Sequence, residues 1–320
     1  MSLLNSSGGS IPRSTPHLLA DYIELEACFG SMPFISRAEI ARLINEGREL
    51  GDEDLPEPAI DVSSAETNDM SSRYSEEVLR HLAYRASVFG KYYPFVSSGD
   101  LFKRRVRLTH KQRFYLLLLI CSRLGVLSRG SGLRQRLAAL FENVSAEVLR
   151  GLFPGMTVKR FGPGSRDRAN YYGTALNKAF ARLGKDLATK ADVRYIADDN
   201  QGDRGIDIVG HVSWKDDANS VFAVFGQCAA RGTEWPKKAL EALPAVHRGV
   251  LNLRHDPFNV LFIPVCYREP NGEWVDPLFP WNVVLVDRVR IVQTFDAARS
   301  SVSPYVDAEY FKRLLAQSVA

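Results

Sequence analysis

A nearly unbroken apolar segment, VFAVFGQCA at residues 221–229, constrains the fold of this chain more than any other feature. A run of this length that is rich in Val and Phe is typical of a β-strand covered on both faces. A second such run, NVLFIPVCY at 259–267, follows a short helical pattern, WPKKALEAL at 235–243. Two buried strands separated by a helix predict a β-α-β passage, and therefore an α/β fold.

The segments on either side complete the predicted order of helices and strands. TALNKAFARLGKDLA at 174–188 is predicted to be an amphipathic helix, because four large apolar residues form one stripe: Leu176, Phe180, Leu183 and Leu187. DVRYIAD at 192–198 and GIDIVGHVSW at 205–214 predict two strands, and WNVVLVDRVRIV at 281–292 predicts one or two more. Together these segments predict an α-β-β-β-α-β core around a mixed sheet.

The first half of the chain shows helical patterns interrupted by one small hairpin, with its turn at SSGD, residues 97–100. This order predicts a mainly helical N-terminal domain, residues 1–155, which is similar to winged-helix folds and serves as an adaptor or binds nucleic acid. A segment rich in Gly, Pro and Arg at 151–173 marks the boundary, so residues 156–320 are predicted to form the second domain.

Composition excludes several functional classes. The most apolar run, FYLLLLIC at 114–121, is far shorter than the ~20 residues that span a bilayer, so it predicts a buried helix and no membrane partner. The N-terminus lacks the pattern of a signal peptide. The four cysteines show no metal-binding spacing and predict free thiols, which is typical of the cytoplasm.

Two polar side chains in the predicted strands need a physical reason. Asp207 lies between Ile206 and Ile208, and Gln227 lies in the apolar run. An unpaired polar group in such a place costs roughly 2–7 kcal/mol, and a divalent metal would remove that cost. Asp207, the Gln227 side chain and the Cys228 backbone offer the oxygen ligands that Mg²⁺ or Mn²⁺ prefers.

Simpler roles are available for the same residues. Asp207 could cap local backbone amides, and Gln227 could bond to neighbouring backbone. Asp203 is a further metal candidate, as are Asp198 and Asp199, although acidic loops are usually just solvated. No histidine is placed to activate Cys228, so a buried, inert thiol is predicted there.

The motifs GIDIVG at 205–210 and VFGQCA at 224–229 resemble the PD-(D/E)XK restriction-endonuclease-like nuclease superfamily, and within it the Mrr-like branch in which glutamine replaces glutamate. The resemblance covers roughly residues 170–265. It implies that Asp207 and Gln227 hold Mg²⁺, and that a lysine two residues beyond the glutamine helps to activate the attacking water. Ala229 stands at that lysine position, which puts catalysis in question but not the fold.

Three nearby cations are candidate replacements for the missing lysine. Lys237 and Lys238 lie in the first turn of the predicted helix, whose N-terminus favours a phosphate. Arg231 follows the strand and would act as a charge stabiliser. Lys238 is favoured over Lys237, and a solvated helical turn is the alternative for both. A natural loss or an engineered substitution would each account for Ala229.

Two basic clusters are candidates for nucleic-acid contact. The first includes Lys103, Arg104, Arg105 and Arg107, and the second, at the predicted domain boundary, includes Arg166 and Arg168. On one face, such residues would follow a phosphate backbone. A solvated surface or a protein-contact surface is the alternative, because the formal net charge of +4 does not by itself require a nucleic-acid partner.

The function predicted from these features is Mg²⁺- or Mn²⁺-dependent hydrolysis of phosphodiester bonds in DNA. The resemblance also implies the effector of a prokaryotic restriction or antiphage defence system. The alternative is a catalytically inactive module with a nuclease fold that binds DNA or a partner ATPase or helicase subunit. A third prediction makes the helical half an adaptor to such a subunit, and a homo-oligomer is compatible with any of the three.

Overall fold

The computed structural model describes residues 15–30, 34–49, 64–98, 101–124, 132–197, 202–214, 216, 218, 221–230, 235–278 and 282–316. The chain divides into two compact units, each discontinuous in sequence. Unit 1 comprises Met1–Arg134, Val265–Pro277 and Val306–Ala320. Unit 2 comprises Gln135–Pro264 and Leu278–Tyr305.

Unit 1 is mainly helical. Its α-helices are α1 (Pro16–Phe29), α2 (Arg37–Glu49), α3 (Ser64–Phe89), α4 (His110–Ser122) and α11 (Glu309–Ala316). A small antiparallel sheet has the order β1-β3-β2, with β1 (Ile35–Ser36), β2 (Phe95–Ser98) and β3 (Leu101–Arg104). Strands β2 and β3 confirm the predicted hairpin. The predicted buried helix at 114–121 is also confirmed, since α4 is buried along this stretch.

A buried charge network lies within unit 1. The Arg85 guanidinium lies 2.8 Å from Asp21 Oδ1 and 3.0 Å from Glu24 Oε2, and all three side chains are almost completely buried. Tyr93 and Tyr115 donate hydrogen bonds to the Glu24 carboxylate. Because every charge has a partner of the opposite sign or a hydrogen-bond donor, the network avoids the large cost of isolated buried ions.

Unit 2 is built on a five-stranded mixed sheet with the order β4-β5-β6-β7-β8. The strands are β4 (Thr157–Arg160), β5 (Ile208–His211), β6 (Ala223–Cys228), β7 (Phe258–Phe262) and β8 (Val284–Val286). The first three are antiparallel, whereas β6, β7 and β8 are parallel. The helices are α5 (Leu133–Leu152), α6 (Leu176–Asp186), α7 (Trp235–Lys238), α8 (Pro244–His247), α9 (Arg288–Gln293) and α10 (Phe295–Val306).

Helices α5 and α6 cover opposite faces of the sheet. The apolar stripe of α6 packs in one cluster with Val209 and Phe225, which confirms the predicted amphipathic helix. On the other face a Cβ atom at Gly210 would lie 3.3 Å from Leu149 of α5, so the helix approaches the strand closely there. The mixed α/β class predicted from the sequence is confirmed.

One predicted element was wrong. Residues 192–197 do not form a strand: Ala191 makes an isolated bridge with Leu251, and the Ile196 amide closes a turn on Val193. The first strand of the sheet is instead β4. The prediction of one or two strands at 281–292 is met by a single strand, β8, because the Asp287 side chain accepts a hydrogen bond from the Arg290 amide and starts α9.

The observed units differ from the predicted division at residue 155. Most of α5 belongs with the sheet of unit 2, whereas two later segments, 265–277 and 306–320, belong to unit 1. The element order of unit 2 up to β7 is α5, β4, α6, β5, β6, α7, α8, β7. Within the described residues, no helix has both the length and the apolar character needed to cross a bilayer.

Candidate functional site

The candidate site lies where β6 ends and β5 begins. Asp207 directly precedes β5, and its amide donates to the Gly226 carbonyl at 2.9 Å. Ile208 pairs with Gly226, so one further step in this antiparallel register places Asp207 opposite Gln227. Residues that face each other across two strands have Cβ atoms about 5 Å apart. The fold therefore brings the two predicted metal-binding residues together.

The Asp207 carboxylate is held by the backbone of the neighbouring strand. Its Oδ2 atom accepts a hydrogen bond from the Cys228 amide at 2.7 Å. Burial, and then the negative charge of Glu142, raise the pKa of Asp207 to about 7, whereas the Cys228 amide and the Lys238 ammonium oppose the rise. A carboxyl group with this pKa is ready to ionise when a cation binds.

Glu142, on α5, is a second carboxylate at this site. A Cβ atom at Gly162 would lie 3.5 Å from Glu142 Oε2 and 3.6 Å from Asp207 Oδ1, so both oxygens border the same small space beside this glycine. Burial raises the pKa of Glu142, Arg160 lowers it and the charge of Asp203 raises it further. Two carboxylates with raised pKa values border one space, and the nearby positive charges of Arg160 and Lys238 only partly offset the rise.

Gln227 offers an unsatisfied oxygen. Its side chain is 2% exposed, and its Nε2 donates to Glu241 Oε2 at 2.7 Å. An ionised carboxylate can only accept hydrogen bonds, so Glu241 fixes which end of the amide faces it. The opposite end, Oε1, is buried and has no hydrogen-bond partner among the residues that the structure describes. A buried acceptor left in this state calls for a ligand.

A tight turn places Glu241 against the site. Gly205 has a φ of +81°, which favours glycine, and its amide donates to Asp203 Oδ1 at 2.8 Å. A Cβ atom at Gly205 would lie only 2.6 Å from the Glu241 Cβ, so a side chain there would displace the segment after α7. The turn at Asp203 to Gly205 thus sets the position of the residue that orients Gln227.

Of the three cations proposed to replace the missing lysine, the structure describes the side chain of one, Lys238. Lys238, at the end of α7, is half-buried, and its charge lowers the pKa of both Asp207 and Glu142. Lys237 is in the same helix, but its side chain is outside the described part of the structure, as are Arg231, Asp198 and Asp199. Lys238 is thus the described lysine whose charge acts on the carboxylates.

Cys228 contacts the site through its backbone amide and not through its thiol, whereas its backbone oxygen was the predicted metal ligand. The amide binds Asp207, as described above, while burial raises the pKa of the thiol well above its usual range. A thiol in this state is a poor nucleophile, in agreement with the inert role predicted for it. Ala229 is also buried, and its amide donates to the Phe262 carbonyl at 3.0 Å.

These side chains fit a divalent cation. Two carboxylates border one space, the Gln227 amide oxygen on the adjacent strand is buried without a hydrogen-bond partner among the described residues, and all the donor atoms are oxygens. This donor set suits Mg²⁺ or Mn²⁺ rather than zinc, which favours nitrogen and sulfur. Asp207, Glu142 and Gln227 are the residues that would hold the ion.

The predicted nucleic-acid residues have very different surroundings. Lys103, Arg105 and Arg107 are exposed in unit 1, and Arg104 is half-buried there with its guanidinium 3.5 Å from the Leu315 carbonyl. In unit 2, Arg166 is exposed.

Arg168 is completely buried and cannot contact a phosphate backbone. Its guanidinium donates to the carbonyls of Phe161, Gly173, Thr174 and Gly202. Phe161 and Gly162 in turn donate to the Asp207 carbonyl. Arg168 therefore fixes the loops beside the site, and the predicted phosphate contact of this residue is corrected to a structural role.

Sequence reasoning missed Glu142 and Glu241. Glu142 lies on the helical face that continues to the buried Ser145 and Ala146, three and four residues later. A carboxylate on a buried face is a usable signal, but the predicted domain boundary placed this helix with the N-terminal helices and not with the sheet. No comparable local pattern marks Glu241. Comparisons of the chain with family models, with curated proteins and with solved structures give no match.

Proposed function

We propose that this protein is a divalent-metal-dependent nuclease that hydrolyses phosphodiester bonds in DNA. The observation that carries the proposal is the shared space between Asp207 and Glu142, with the unpartnered Oε1 of Gln227 buried beside it. The element order α5-β4-β5-β6-α7-β7, apart from the additional helices α6 and α8, resembles the α-β-β-β-α-β core of restriction-endonuclease-like enzymes. A role in restriction or antiphage defence rests on that resemblance alone.

Each residue has a defined part in the proposed reaction. Asp207 Oδ1 and Glu142 Oε2 border the space that the cation would occupy, and Glu241 keeps Gln227 Oε1 available to it. When bound, Mg²⁺ or Mn²⁺ would polarise the scissile phosphate and lower the pKa of a water molecule. The Lys238 ammonium offsets the negative charge that develops on the phosphate during attack.

Plasmid cleavage tests this function. We expect the protein to nick or cut supercoiled plasmid in the presence of Mg²⁺ or Mn²⁺, to be inactive with chelator, and to lose activity on substitution Asp207→Ala. Asp216→Asn is the control, because Asp216 is an exposed aspartate in the turn between β5 and β6. Absence of cleavage under all these conditions, or equal cleavage by Asp207→Ala, would refute the proposal.

Ala229 motivates a second candidate, a module with a nuclease fold that binds DNA or a partner ATPase or helicase subunit without cutting. The residue is apolar and buried where the resembled family keeps its lysine. Calorimetric titration with Mn²⁺ separates the two functions. Metal binding that requires Asp207 without any cleavage of DNA supports the second candidate, whereas binding together with cleavage supports the first.

A further inference from the structure

A second group of metal-binding side chains lies in unit 1, away from the residues of the proposed nuclease site. Glu77 and His81 are four residues apart on α3, so their side chains lie on one helical face. Glu269 approaches them from the segment 265–277. One donor atom from each of the three residues lies within 4.8 Å of the other two.

His81 directs an unsatisfied nitrogen at this group. The imidazole is 2% exposed, and its Nε2 has no hydrogen-bond partner among the described residues. Glu269 Oε2 lies 3.7 Å from that nitrogen, beyond hydrogen-bond distance. This separation is too long for a direct hydrogen bond but short enough for both atoms to bind one cation.

Electrostatics disfavours the protonated histidine. Burial and the nearby Arg85 lower the pKa of His81 to about 4, so the ring is neutral at pH 7. The Arg268 backbone has the opposite influence and raises this pKa. A metal-binding histidine is usually oriented by a hydrogen bond of one ring nitrogen, which leaves the lone pair of the other nitrogen for the ion.

The segment that carries Glu269 is held in place before any ion binds. The Glu269 amide donates to the Glu273 carbonyl at 2.9 Å, and the Gly272 amide returns to the Glu269 carbonyl at 2.9 Å. The Arg268 guanidinium lies 3.5 Å from the centre of the Trp274 ring, and these two residues also form a β-bridge. Glu269 is therefore presented to α3 by an ordered turn.

The geometry points to a transition-metal site, of the type that takes Zn²⁺, formed by Glu77, His81 and Glu269. Ligand atoms around a tetrahedral zinc ion lie about 3.4 Å apart, close to the 3.7 Å between His81 Nε2 and Glu269 Oε2. Glu77 is exposed and can complete the set by a small side-chain movement. The ion would join α3 to a segment almost 190 residues later in the sequence, roughly the separation of His81 and Glu269, and so stabilise unit 1.

Titration of the full-length protein with Co²⁺, after dialysis against chelator, tests this inference. An Asp207→Asn background removes the proposed nuclease ligand, so the result is independent of the proposed function. We expect one equivalent of Co²⁺ with a visible d–d absorption band that Zn²⁺ displaces, because the band reports nitrogen ligation and low coordination number. We also expect Zn²⁺ to raise the melting temperature.

Variants locate the ion. Glu77→Gln changes an exposed residue and should weaken Co²⁺ affinity about tenfold or more, as should Glu269→Gln and His81→Gln. Glu76→Gln, one position along α3 and also exposed, is the matched control and should bind as the parent does. If His81→Gln fails to fold, the two glutamate variants decide the question. No Co²⁺ band, or equal affinity in Glu77→Gln and Glu76→Gln, would overturn the inference.

Discussion

Asp207 destabilises the metal-free protein once it ionises. Its pKa rises from 3.8 to about 7 on folding, so the folded protein binds a proton more strongly than the unfolded chain does. Between these two values the folded state holds more protons, and the free energy of unfolding therefore falls as the pH rises through this window. The favourable contribution is complete below pH 3.8 and lost above about pH 7.

Asp207→Asn should therefore stabilise the metal-free protein above neutral pH. Asparagine keeps an oxygen that can accept the Cys228 amide but carries no charge. We expect its melting temperature to exceed that of the parent by about 2 °C or more at pH 8. The difference should shrink at pH 5, where Asp207 is protonated in the folded protein. Calorimetry that shows Asp207→Asn to be the less stable protein at pH 8 would contradict this electrostatic account.

Glu241 acts on the site through Gln227 rather than by direct contact with an ion. Glu241→Gln provides an amide in place of a carboxylate, so the Gln227 side chain is no longer held with its oxygen facing away. We expect Mn²⁺ affinity, measured by calorimetry, to fall about 10–100-fold. Glu309→Gln, an exposed glutamate on α11, is the control. Unchanged affinity in Glu241→Gln would show that amide orientation does not matter for binding.

At the scale of elements, helix α7 carries Lys238, the lysine that we propose takes part in the reaction. The Lys238 charge acts on Asp207 and Glu142, so Lys238→Ala should lower the rate of plasmid cleavage about 100-fold with little change in folding. Lys185→Ala removes an exposed lysine at the end of α6 and should cleave at the parental rate. Equal rates for the two variants would remove Lys238 from the mechanism.

The loops beside the site contain two arginines that can be compared directly, the buried Arg168 and the exposed Arg166. Arg168→Ala breaks hydrogen bonds to four carbonyls, so we expect the free energy of unfolding, measured with denaturant, to fall by about 3 kcal/mol. Arg166→Ala, at an exposed position, should change it by less than about 0.5 kcal/mol. If Arg166 contacts DNA, its removal should reduce by about one the slope of the logarithm of the DNA-binding constant against the logarithm of the salt concentration. A strong loss of stability in Arg166→Ala alone would reverse these assignments.

At the scale of the whole molecule, sequence patterns predicted those parts of the site that depend on neighbouring residues and on one hairpin. Asp207 and Gln227 interrupt apolar strands, and strand alternation with one hairpin is enough to place them together. Strand β4 was missed because it is a short edge strand with a single fully buried residue, Val158, inside a segment rich in Gly and Pro.

The role of Glu142 depends on long-range packing. Nothing near α5 in the sequence indicates that this helix covers the sheet of unit 2, since the pairing joins residues more than sixty positions apart. The composition of unit 1 also depends on long-range packing, because segments 265–277 and 306–320 belong to it although they are distant in sequence from its N-terminal part. Changes in composition along a chain mark loops, but they do not reveal which segments pack together across long sequence separations.

The most direct test of the central claim is the position of Mn²⁺ in crystals of the protein, located by its anomalous scattering. We predict a peak in unit 2 within bonding distance of Asp207, Glu142 and Gln227 Oε1, which disappears in Asp207→Asn. A structure with no Mn²⁺ between these three side chains at saturating concentration would contradict the proposal that they form a metal site.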